Sequence, residues 1–316
     1  WRTNAMSAIT VFAETSNNRL DSTAAEMITA GRLISNQLGN ELNVVVIGEN
    51  ISRLAEEISL LGVNAVHVVD HPMISNNKPD LVVAALNQVC AQIKPRVFLL
   101  AKTHLGKTVG PRLAYRMGVS IAQDCVSLGT DKPKDNLVVT RPVFGGNAMA
   151  KFTFEATYPQ IATLRIKNFE ASSPNKDIPC RIEKITVTLD NSTLKAHVLS
   201  TVKQESEGIR LEEAPVVVAG GRGLGGAKGF EQLIDLARLF NGAVGVSRAV
   251  CDAGWLDHSF QIGLTGKTVS PNLYITVGIS GASQHMAGCS GSKNIVAINK
   301  DPGANIFKSD TYGDVG

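Results

Sequence analysis

The feature that most constrains the fold is the stretch from Pro215 to Phe230, which reads PVVVAGGRGLGGAKGF. Three consecutive valines predict a buried strand, the glycines predict a tight turn, and the pattern from Phe230 to Phe240 predicts a helix. A strand, a glycine turn and a helix together form a cradle in which backbone N–H groups bind an anion. The spacing Gly221-x-Gly223-x-x-Gly226 formally matches the dinucleotide-binding fingerprint. It does not match a phosphate-binding P-loop, because Ala227 and Lys228 stand where Lys and Ser or Thr are required.

The composition argues against several classes of protein. The net charge is only +3 and aromatic residues make up 5% of the 316 residues, so no nucleic-acid-binding surface is expected. No apolar run approaches the ~20 residues that cross a bilayer, so we expect no direct membrane insertion. The five cysteines are far apart and never form a C-x-x-C pair, which disfavours disulfides and metal sites. We therefore expect a cytoplasmic protein, or a mitochondrial-matrix protein if the chain is eukaryotic.

Strand and helix patterns alternate through the first 117 residues, which predicts a doubly wound parallel sheet. The predicted strands are Ile9–Ala13, Val44–Ile47, Val66–Val69 and Val97–Ala101. The predicted helices are Ser22–Leu38, Ile51–Leu61, Leu81–Ile93 and Val109–Met117.

After Gly118 the chain becomes rich in strand patterns separated by turn residues. We interpret these segments as antiparallel additions to the first sheet. They are Leu137–Thr140, Lys151–Ala156, Ile161–Leu164, Ile182–Leu189 and Lys195–Lys203.

A polar, apolar-poor stretch around Lys203–Gly208 predicts a domain boundary. We expect a first α/β domain over residues 6–203, a linker over 204–213 and a second domain over 214–316. The second domain combines the helix after Phe230 with four short strands, Val216–Ala219, Ala243–Val246, Leu273–Val277 and Ile295–Ile298. The predicted fold class is α/β with two doubly wound parallel-sheet domains, the first with antiparallel β additions and the second Rossmann-like.

Two glycine turns in the second domain predict a ligand site. An NAD-binding unit carries an acidic residue after its second strand, but this chain has Ser247-Arg248 there. That leaves a phosphorylated ribose or a different cofactor open. A second turn, Gly278-Ile279-Ser280-Gly281, follows another strand and precedes His285. Two such turns facing one crevice suit a long two-part ligand.

Four segments at these positions resemble, in the same order and at similar spacing, the alpha subunit of the electron-transfer flavoproteins. They are AGGRG, GVSRAVCDAG, QIGLTGKTVSPNLYITVGISGASQHMAG and IVAINKDPGANIF. The segment TRPVFGGNAMAKF, Thr140–Phe152, extends the resemblance into the first domain. The resemblance implies an FAD held by the second domain. It also implies an obligate beta subunit, contacted by a first domain of the adenine-nucleotide-hydrolase type.

The resemblance also implies which residues contact the FAD. Those carried over are Arg222, Gly223, Ser247, Arg248, Ile262, Gly263, Leu264, Thr265, Ser280, Gly281, Ala282, Ser283, Gln284, His285 and Asn299. In the family the arginine lies over the flavin ring, the threonine bonds near N5 and the histidine lies near the pyrimidine carbonyl. Arg248, Thr265 and His285 are therefore expected to tune the flavin, because a cation and N–H donors stabilise its reduced, more negative form. Leu264 departs from the family, in which many members carry Gln.

The favoured hypothesis is an electron carrier subunit rather than an enzyme. It would accept electrons from an acyl-CoA-dehydrogenase-type enzyme, as in fatty acid β-oxidation, and pass them to another oxidoreductase. A variant is electron bifurcation, in which the beta subunit carries a second flavin and NADH is the donor. The runner-up is an NADP-dependent oxidoreductase with Arg248 on the ribose phosphate. A third hypothesis is an adenine-nucleotide-binding interaction module built on the first domain.

Overall fold

The chain divides into two units in a computed structural model that describes residues 8–16, 18–131, 134–144, 148–155, 157–175, 177–196, 199 and 209–316. One unit comprises Trp1–Pro142 and Met149–Leu199, and the other comprises Val143–Ala148 and Ser200–Gly316. Residues 204–208 of the expected linker lie outside the described residues. Its remaining residues, 209–213, include Leu211, whose side chain is buried in the core of the second unit.

The first unit is built on a seven-stranded sheet in the order β12-β5-β4-β1-β6-β11-β7, and every strand pair in it is parallel. Its strands are β1 (Ile9–Ala13), β4 (Leu42–Gly48), β5 (Ala65–Asp70), β6 (Val97–Ala101), β7 (Ile121–Cys125), β11 (Gln160–Leu164) and β12 (Arg181–Lys184). β1, β4, β6 and β11 are buried along their whole length, as expected for parallel strands covered on both faces.

Among the described residues, the helices that cover this sheet are α1 (Thr23–Leu38), α2 (Ser52–Ser59), α3 (Pro79–Ile93) and α4 (His104–Met117). α1 and α2 contribute to one hydrophobic cluster and α3 and α4 to another, and alternate residues of the central strands divide between the two. Because successive side chains of a strand point to opposite faces, the helices lie on the two sides of the sheet. The doubly wound layout is therefore confirmed.

The prediction that the later strands of this unit are antiparallel additions to the first sheet is partly wrong. β11 and β12 pair parallel with β6 and β5. A separate sheet in the order β10-β9-β8, in which β8 and β9 pair antiparallel, is built from β8 (Ser127–Asp131), β9 (Asn136–Val143) and β10 (Ala148–Thr153). The first unit also has a short hairpin of β2 (Thr15–Ser16) and β3 (Arg19–Leu20).

Two predicted strands near residue 190 differ from the structure. Within Ile182–Leu189 only residues 182–184 belong to a strand. In Lys195–Lys203 the described residues 195, 196 and 199 are not in a strand, and the others lie outside the described residues.

The second unit contains a five-stranded parallel sheet in the order β14-β13-β15-β16-β17. Its strands are β13 (Val216–Gly220), β14 (Ala243–Val246), β15 (Leu273–Val277), β16 (Ile295–Ile298) and β17 (Tyr312–Asp314), and its helices are α5 (Gly229–Leu239), α6 (Arg248–Asp252) and α7 (Ser283–Met286). In chain order the strands read second, first, third, fourth, fifth, which is the flavodoxin-like doubly wound order. This order places the topological switch point between β13 and β15, where such sheets bind ligands.

The predicted fold class is confirmed by these two parallel sheets and the added antiparallel one. Within the described part of the chain, no helix combines the length and the apolar character needed to cross a bilayer.

Candidate functional site

A cavity of about 820 Å³ lies in the second unit at the carboxyl ends of β13, β14, β15 and β16. Thirteen of the fifteen residues expected to contact a flavin line it: Arg222, Gly223, Ser247, Arg248, Ile262, Gly263, Leu264, Thr265, Ser280, Ala282, Gln284, His285 and Asn299. Gly281 and Ser283 do not line it. The structure therefore brings together, around one crevice, residues that lie up to 77 positions apart in the chain, from 222 to 299.

The glycines of the fingerprint hold two turns against each other. The N–H of Gly221 donates to the Val277 carbonyl at 2.8 Å, and that of Gly223 donates to the Gly278 carbonyl at 3.1 Å. A Cβ on Gly221 would lie 2.1 Å from the Gly278 oxygen, whereas one on Gly226 would meet nothing within 4 Å. The N–H groups of Gly221 and Gly223 therefore pair with the last residue of β15 and with the residue that follows it.

Arg248 and Asp252 form an ion pair on the wall of the cavity. Nε of Arg248 donates to Oδ2 of Asp252 at 3.3 Å, four residues apart on α6. Both side chains are more than half exposed, at 67% and 55%, and ion pairs of this kind contribute little to stability. Arg248 is therefore held loosely and is able to reorient toward an anionic ligand.

The charged side chains that line the cavity are three cations, Arg222, Arg248 and Lys300, and two carboxylates, Asp252 and Asp301. Arg222 and Lys300 have no ion-pair partner within the part of the chain that the structure describes. The excess of one positive charge favours a negatively charged ligand.

Three side chains in the segment between α6 and β15 form a hydrogen-bonded row that ends at the cavity. Nε2 of Gln261 donates to Oγ1 of Thr265 at 2.9 Å, and Oε1 of Gln261 lies 2.8 Å from Nδ1 of His258. Gln261 and Thr265 both line the cavity, and the Gln261 side chain is buried. The row therefore connects an exposed histidine to a hydroxyl at the cavity wall.

His285 lines the cavity and belongs to the core of the second unit, with 7% of its surface exposed. Nε2 lies 2.9 Å from the hydroxyl of Tyr274. Nδ1 is buried and has no hydrogen-bond partner of normal geometry among the described residues. Burial lowers the pKa of His285 to about 4, although a contact with the backbone of Ile262 acts in the opposite direction. At neutral pH the ring is therefore uncharged and contributes a hydrogen-bonding group rather than a cation.

The turn around Leu264 is fixed by its backbone. Gly263 has a φ of +145°, which side-chain-bearing residues rarely adopt, and the N–H of Leu264 donates to the Gln284 carbonyl at 2.7 Å. The Leu264 side chain lines the cavity, but 49% of it is exposed. Leucine therefore does not seal this turn from solvent in this chain.

The turns after β15 and β16 are hydrogen-bonded to each other next to the cavity. Nδ2 of Asn299 donates to the Ile279 carbonyl at 2.9 Å, and Oδ1 accepts from the Asp301 N–H at 3.0 Å. Gly281 has a φ of +76°, and a Cβ there would lie 2.2 Å from the Ile306 nitrogen. Gly281 therefore permits a close approach of two loops outside the cavity.

Sequence reasoning missed eight residues of the cavity lining: Ala249, Asp252, Gln261, Gly278, Ile279, Lys300, Asp301 and Ala304. All eight lie inside the four segments that carry the family resemblance. Asp252 could have been predicted from the sequence, because residues four apart on a helix share a face and a carboxylate at this position faces Arg248.

The corresponding edge of the first unit is occupied by the chain's own side chains. Both carboxylate oxygens of Glu14, after β1, accept from the hydroxyl of Thr103, at 2.7 and 2.8 Å. Thr103 caps α4 by accepting from the Gly106 N–H, so this helix begins at His104 rather than at the predicted Val109. A carboxylate therefore lies at the N-terminus of α4, beside the switch point between β1 and β6.

A partly buried ion cluster lies near the same edge. Asp124 pairs with Arg165 and with Lys102, each at 2.8 Å. Burial by itself raises the pKa of Asp124, but the hydrogen bonds from Arg165 and Lys102 outweigh it and lower the pKa below its usual value. These polar groups at this edge of the first unit are therefore paired with one another, and the hypothesis of an adenine-nucleotide module on the first domain stays a prediction.

Comparisons with known proteins cover nearly the whole chain. The family model described as "Electron transfer flavoprotein domain" matches residues 9–190, and that described as "Electron transfer flavoprotein FAD-binding domain" matches residues 210–290. The electron transfer flavoprotein subunit alpha of Thermoanaerobacterium thermosaccharolyticum is 39% identical over 308 residues, which cover 98% of this chain and 93% of the relative.

Two further relatives carry other names. The acryloyl-CoA reductase electron transfer subunit beta of Anaerotignum propionicum is 34% identical over 343 residues, covering 99% of this chain and 93% of the relative. Subunit LctC of the lactate dehydrogenase (NAD(+),ferredoxin) of Acetobacterium woodii is 34% identical over 308 residues, covering 98% of this chain and 73% of the relative. The chain therefore belongs to the alpha-subunit family of the electron transfer flavoproteins.

Proposed function

We propose that the cavity of the second unit binds FAD and that the chain is the FAD-binding alpha subunit of a heterodimeric electron carrier. The observation that carries this proposal is the convergence of thirteen of the fifteen expected flavin contacts on one cavity. The cavity lies at the carboxyl ends of the strands around the switch point of a doubly wound sheet, where ligands bind. Its volume of about 820 Å³ falls within the range of roughly 300–1,000 Å³ of small-molecule sites.

The residues present fit a flavin nucleotide. The buried Nδ1 of His285 makes no hydrogen bond of normal geometry with the described residues, although the Ile262 backbone lies near it, so a ligand group that pairs with Nδ1 would be favourable. The excess positive charge of the lining suits a pyrophosphate, and Arg222 and Lys300 are exposed cations able to bind it. The exposed, apolar Ala282 offers a surface against which a flat ring system can pack.

A bound flavin supplies one-electron and two-electron redox chemistry. Under this proposal the chain's own side chains bind and orient it and set its electrostatic surroundings. Arg248 supplies a positive charge that favours the reduced form, and Thr265 and His285 supply uncharged hydrogen-bonding groups. None of these groups needs to attack a substrate or transfer a proton to one, which fits a carrier rather than a substrate-converting enzyme.

We propose a beta subunit as the partner within the heterodimer, an acyl-CoA-dehydrogenase-type enzyme as electron donor and another oxidoreductase as acceptor. The name of the Anaerotignum relative, which includes acryloyl-CoA reductase, supports a donor or acceptor that acts on an acyl-CoA. The name of the Acetobacterium relative, which includes NAD(+) and ferredoxin, supports including NADH and ferredoxin in the tests as the bifurcating variant.

An NADP-dependent oxidoreductase is the weaker proposal. It would use Arg248 to hold a ribose 2′-phosphate, beside the carboxylate of Asp252, which disfavours a dianion. It also leaves unexplained why the second glycine turn, at Gly278, lines the cavity.

The test is to co-express the chain with the beta subunit of the same organism and to characterise the purified complex. We expect visible flavin absorption, FAD on extraction, and reduction by an acyl-CoA dehydrogenase with its substrate. A matched titration with NADPH should leave the flavin oxidised. A colourless complex that binds NADPH would contradict the proposal, and reduction by NADH only in the presence of ferredoxin would assign the bifurcating variant.

A further inference from the structure

Gln261 is a buried polar residue whose side-chain amide is hydrogen-bonded to two other side chains. Only 5% of its surface is exposed, although it lines the cavity. Its Nε2 donates to Oγ1 of Thr265 at 2.9 Å and its Oε1 lies 2.8 Å from Nδ1 of His258. An amide oxygen only accepts hydrogen bonds, so Nδ1 of His258 is the donor in that pair. With its hydrogen on Nδ1, the histidine holds the amide in this orientation.

The orientation of this amide decides what the Thr265 hydroxyl does. An amide nitrogen only donates, so the hydroxyl oxygen is the acceptor in the bond from Gln261. A threonine hydroxyl has one hydrogen, and here that hydrogen is not used toward Gln261. Thr265 lines the cavity, so its hydroxyl can donate to a bound ligand.

We propose that Gln261 is a positioning residue that keeps the Thr265 hydroxyl as a hydrogen-bond donor toward the cavity. The inference rests on the proposed function, because it identifies the acceptor as bound FAD. A donor fixed in advance stabilises the form of the ligand that carries more negative charge, which for a flavin is the reduced form. Gln261 therefore acts on the flavin through Thr265, and His258 acts through Gln261.

A double-mutant cycle in the complex with the beta subunit separates this role from a direct contact. The variants are Gln261→Met, Thr265→Val and the double variant, and the measurements are FAD content and flavin midpoint potential. We expect Gln261→Met to retain FAD and to lower the reduced-to-oxidised ratio at fixed potential about tenfold, which is about 30 mV for a two-electron couple. In the Thr265→Val background the same substitution should have no effect, because no hydroxyl is left to orient.

The matched control is Gln284→Met. Gln284 lines the same cavity, but the hydrogen bond of its side chain is with Ser283. Its effect on the potential, whatever its size, should be the same in the wild-type and Thr265→Val backgrounds. If Gln261→Met fails to fold, the exposed His258→Ala provides the second variant and should shift the potential in the same direction, again only when Thr265 is present.

The results distinguish this inference from the function on which it rests. A wild-type complex without FAD overturns the proposed function, and the inference with it. A flavin-bearing complex in which Gln261→Met and His258→Ala leave the potential unchanged overturns the inference alone. Equal shifts in both Thr265 backgrounds also overturn it, since Gln261 would then act independently of the hydroxyl.

Discussion

The hydroxyl of Tyr274 lies 2.9 Å from Nε2 of His285 inside the core of the second unit. Tyr274 is fully buried on β15, and burial raises its pKa well above the usual range, so the hydroxyl keeps its proton. A hydroxyl that donates to Nε2 leaves the ring hydrogen on Nδ1, the nitrogen that makes no hydrogen bond of normal geometry with the described residues. The histidine at the cavity thus depends on a tyrosine that sequence analysis did not single out.

Tyr274→Phe should therefore destabilise the protein, although it removes only one oxygen atom and creates no large cavity. The variant leaves Nε2 of His285 buried without a partner, and we expect the free energy of unfolding to fall by about 1–3 kcal/mol. Denaturant unfolding of the wild type and the variant measures this. The control is Tyr312→Phe, which removes the hydroxyl of a tyrosine on the exposed strand β17. Equal stability of Tyr274→Phe and wild type would mean that the hydroxyl does not support His285.

The glycine turn gives a second prediction, because two glycines of one motif have opposite surroundings. Gly221→Ala should cost roughly 2–4 kcal/mol, since the new Cβ would overlap the Gly278 carbonyl. Gly226→Ala should change stability by less than about 0.5 kcal/mol, since open space surrounds that position. Thermal unfolding and FAD content, measured for both variants, test this prediction. Sensitivity at Gly226 together with tolerance at Gly221 would contradict the structural role assigned to this turn.

Some strands of the two sheets could be predicted from the sequence alone and others could not. The strands Ala243–Val246, Leu273–Val277 and Ile295–Ile298 were predicted with their correct bounds, because each is a short apolar run ended by polar residues or glycine. β17 was missed because Tyr312–Asp314 is exposed and has no apolar alternation. The parallel direction of β11 was missed because strand direction depends on how the chain returns to the sheet, which local patterns do not encode.

Part of the candidate site could likewise be predicted from the sequence, and part could not. Glycine turns and strand ends mark where a doubly wound sheet binds ligands, so most of the lining could be predicted once the segments had been matched to a family. Gln261 and Tyr274 could not be assigned a role, because a lone glutamine or tyrosine carries no periodic signal. Their roles arise from contacts with Thr265 and His285 that only the folded chain forms.

Glu14 gives a prediction about pH. Burial raises the pKa of Glu14 to about 7, from a usual 4.5, the hydrogen bond from Thr103 opposes this, and the nearby Asp21 adds to it. Between pH 4.5 and 7 the folded state binds this proton more tightly than the unfolded state, so Glu14 makes stability fall as pH rises. The loss is complete above about pH 7.

Glu14→Gln should remove this dependence. At pH 8 we expect the variant to be more stable than the wild type by roughly 1–3 kcal/mol, and at pH 4 the two should be nearly equal. Denaturant unfolding at both pH values tests this, with Glu56→Gln on the surface of α2 as the control. A variant that is less stable at pH 8 would show that the ionised carboxylate supports the N-terminus of α4.

Leu264→Gln tests the departure from the family. Glutamine would add an amide at the mouth of the cavity, able to donate to a bound flavin. We expect the flavin midpoint potential to rise, by less than about 30 mV because half of the side chain is solvent-exposed, while FAD content stays unchanged. Spectroelectrochemistry of both proteins measures the difference. Equal potentials at equal flavin loading would mean that this turn reaches the cofactor only through its backbone and Thr265.

Arg248 and Asp252 should shift the flavin potential in opposite directions. The two side chains are paired on the cavity wall, so removing the cation leaves a net negative charge there and removing the carboxylate leaves a net positive one. Arg248→Ala should therefore lower the midpoint potential by at least about 30 mV, and Asp252→Asn should raise it. Arg248→Lys keeps the charge and should recover most of the loss, apart from what depends on the planar guanidinium.

Because the Arg248–Asp252 pair is exposed, its effect on the flavin potential should depend on the salt concentration, whereas the effect of a structural change should not. Charges at solvent-exposed positions are screened by salt, so both shifts should shrink as the salt concentration rises from about 0.05 to 0.5 M. Reductive titration at each salt concentration measures the shifts, and FAD content measured in parallel separates a change of potential from loss of the cofactor. Shifts of the same sign in Arg248→Ala and Asp252→Asn would place the electrostatic control of the flavin elsewhere in the cavity, since removing charges of opposite sign cannot act on one redox centre in the same direction.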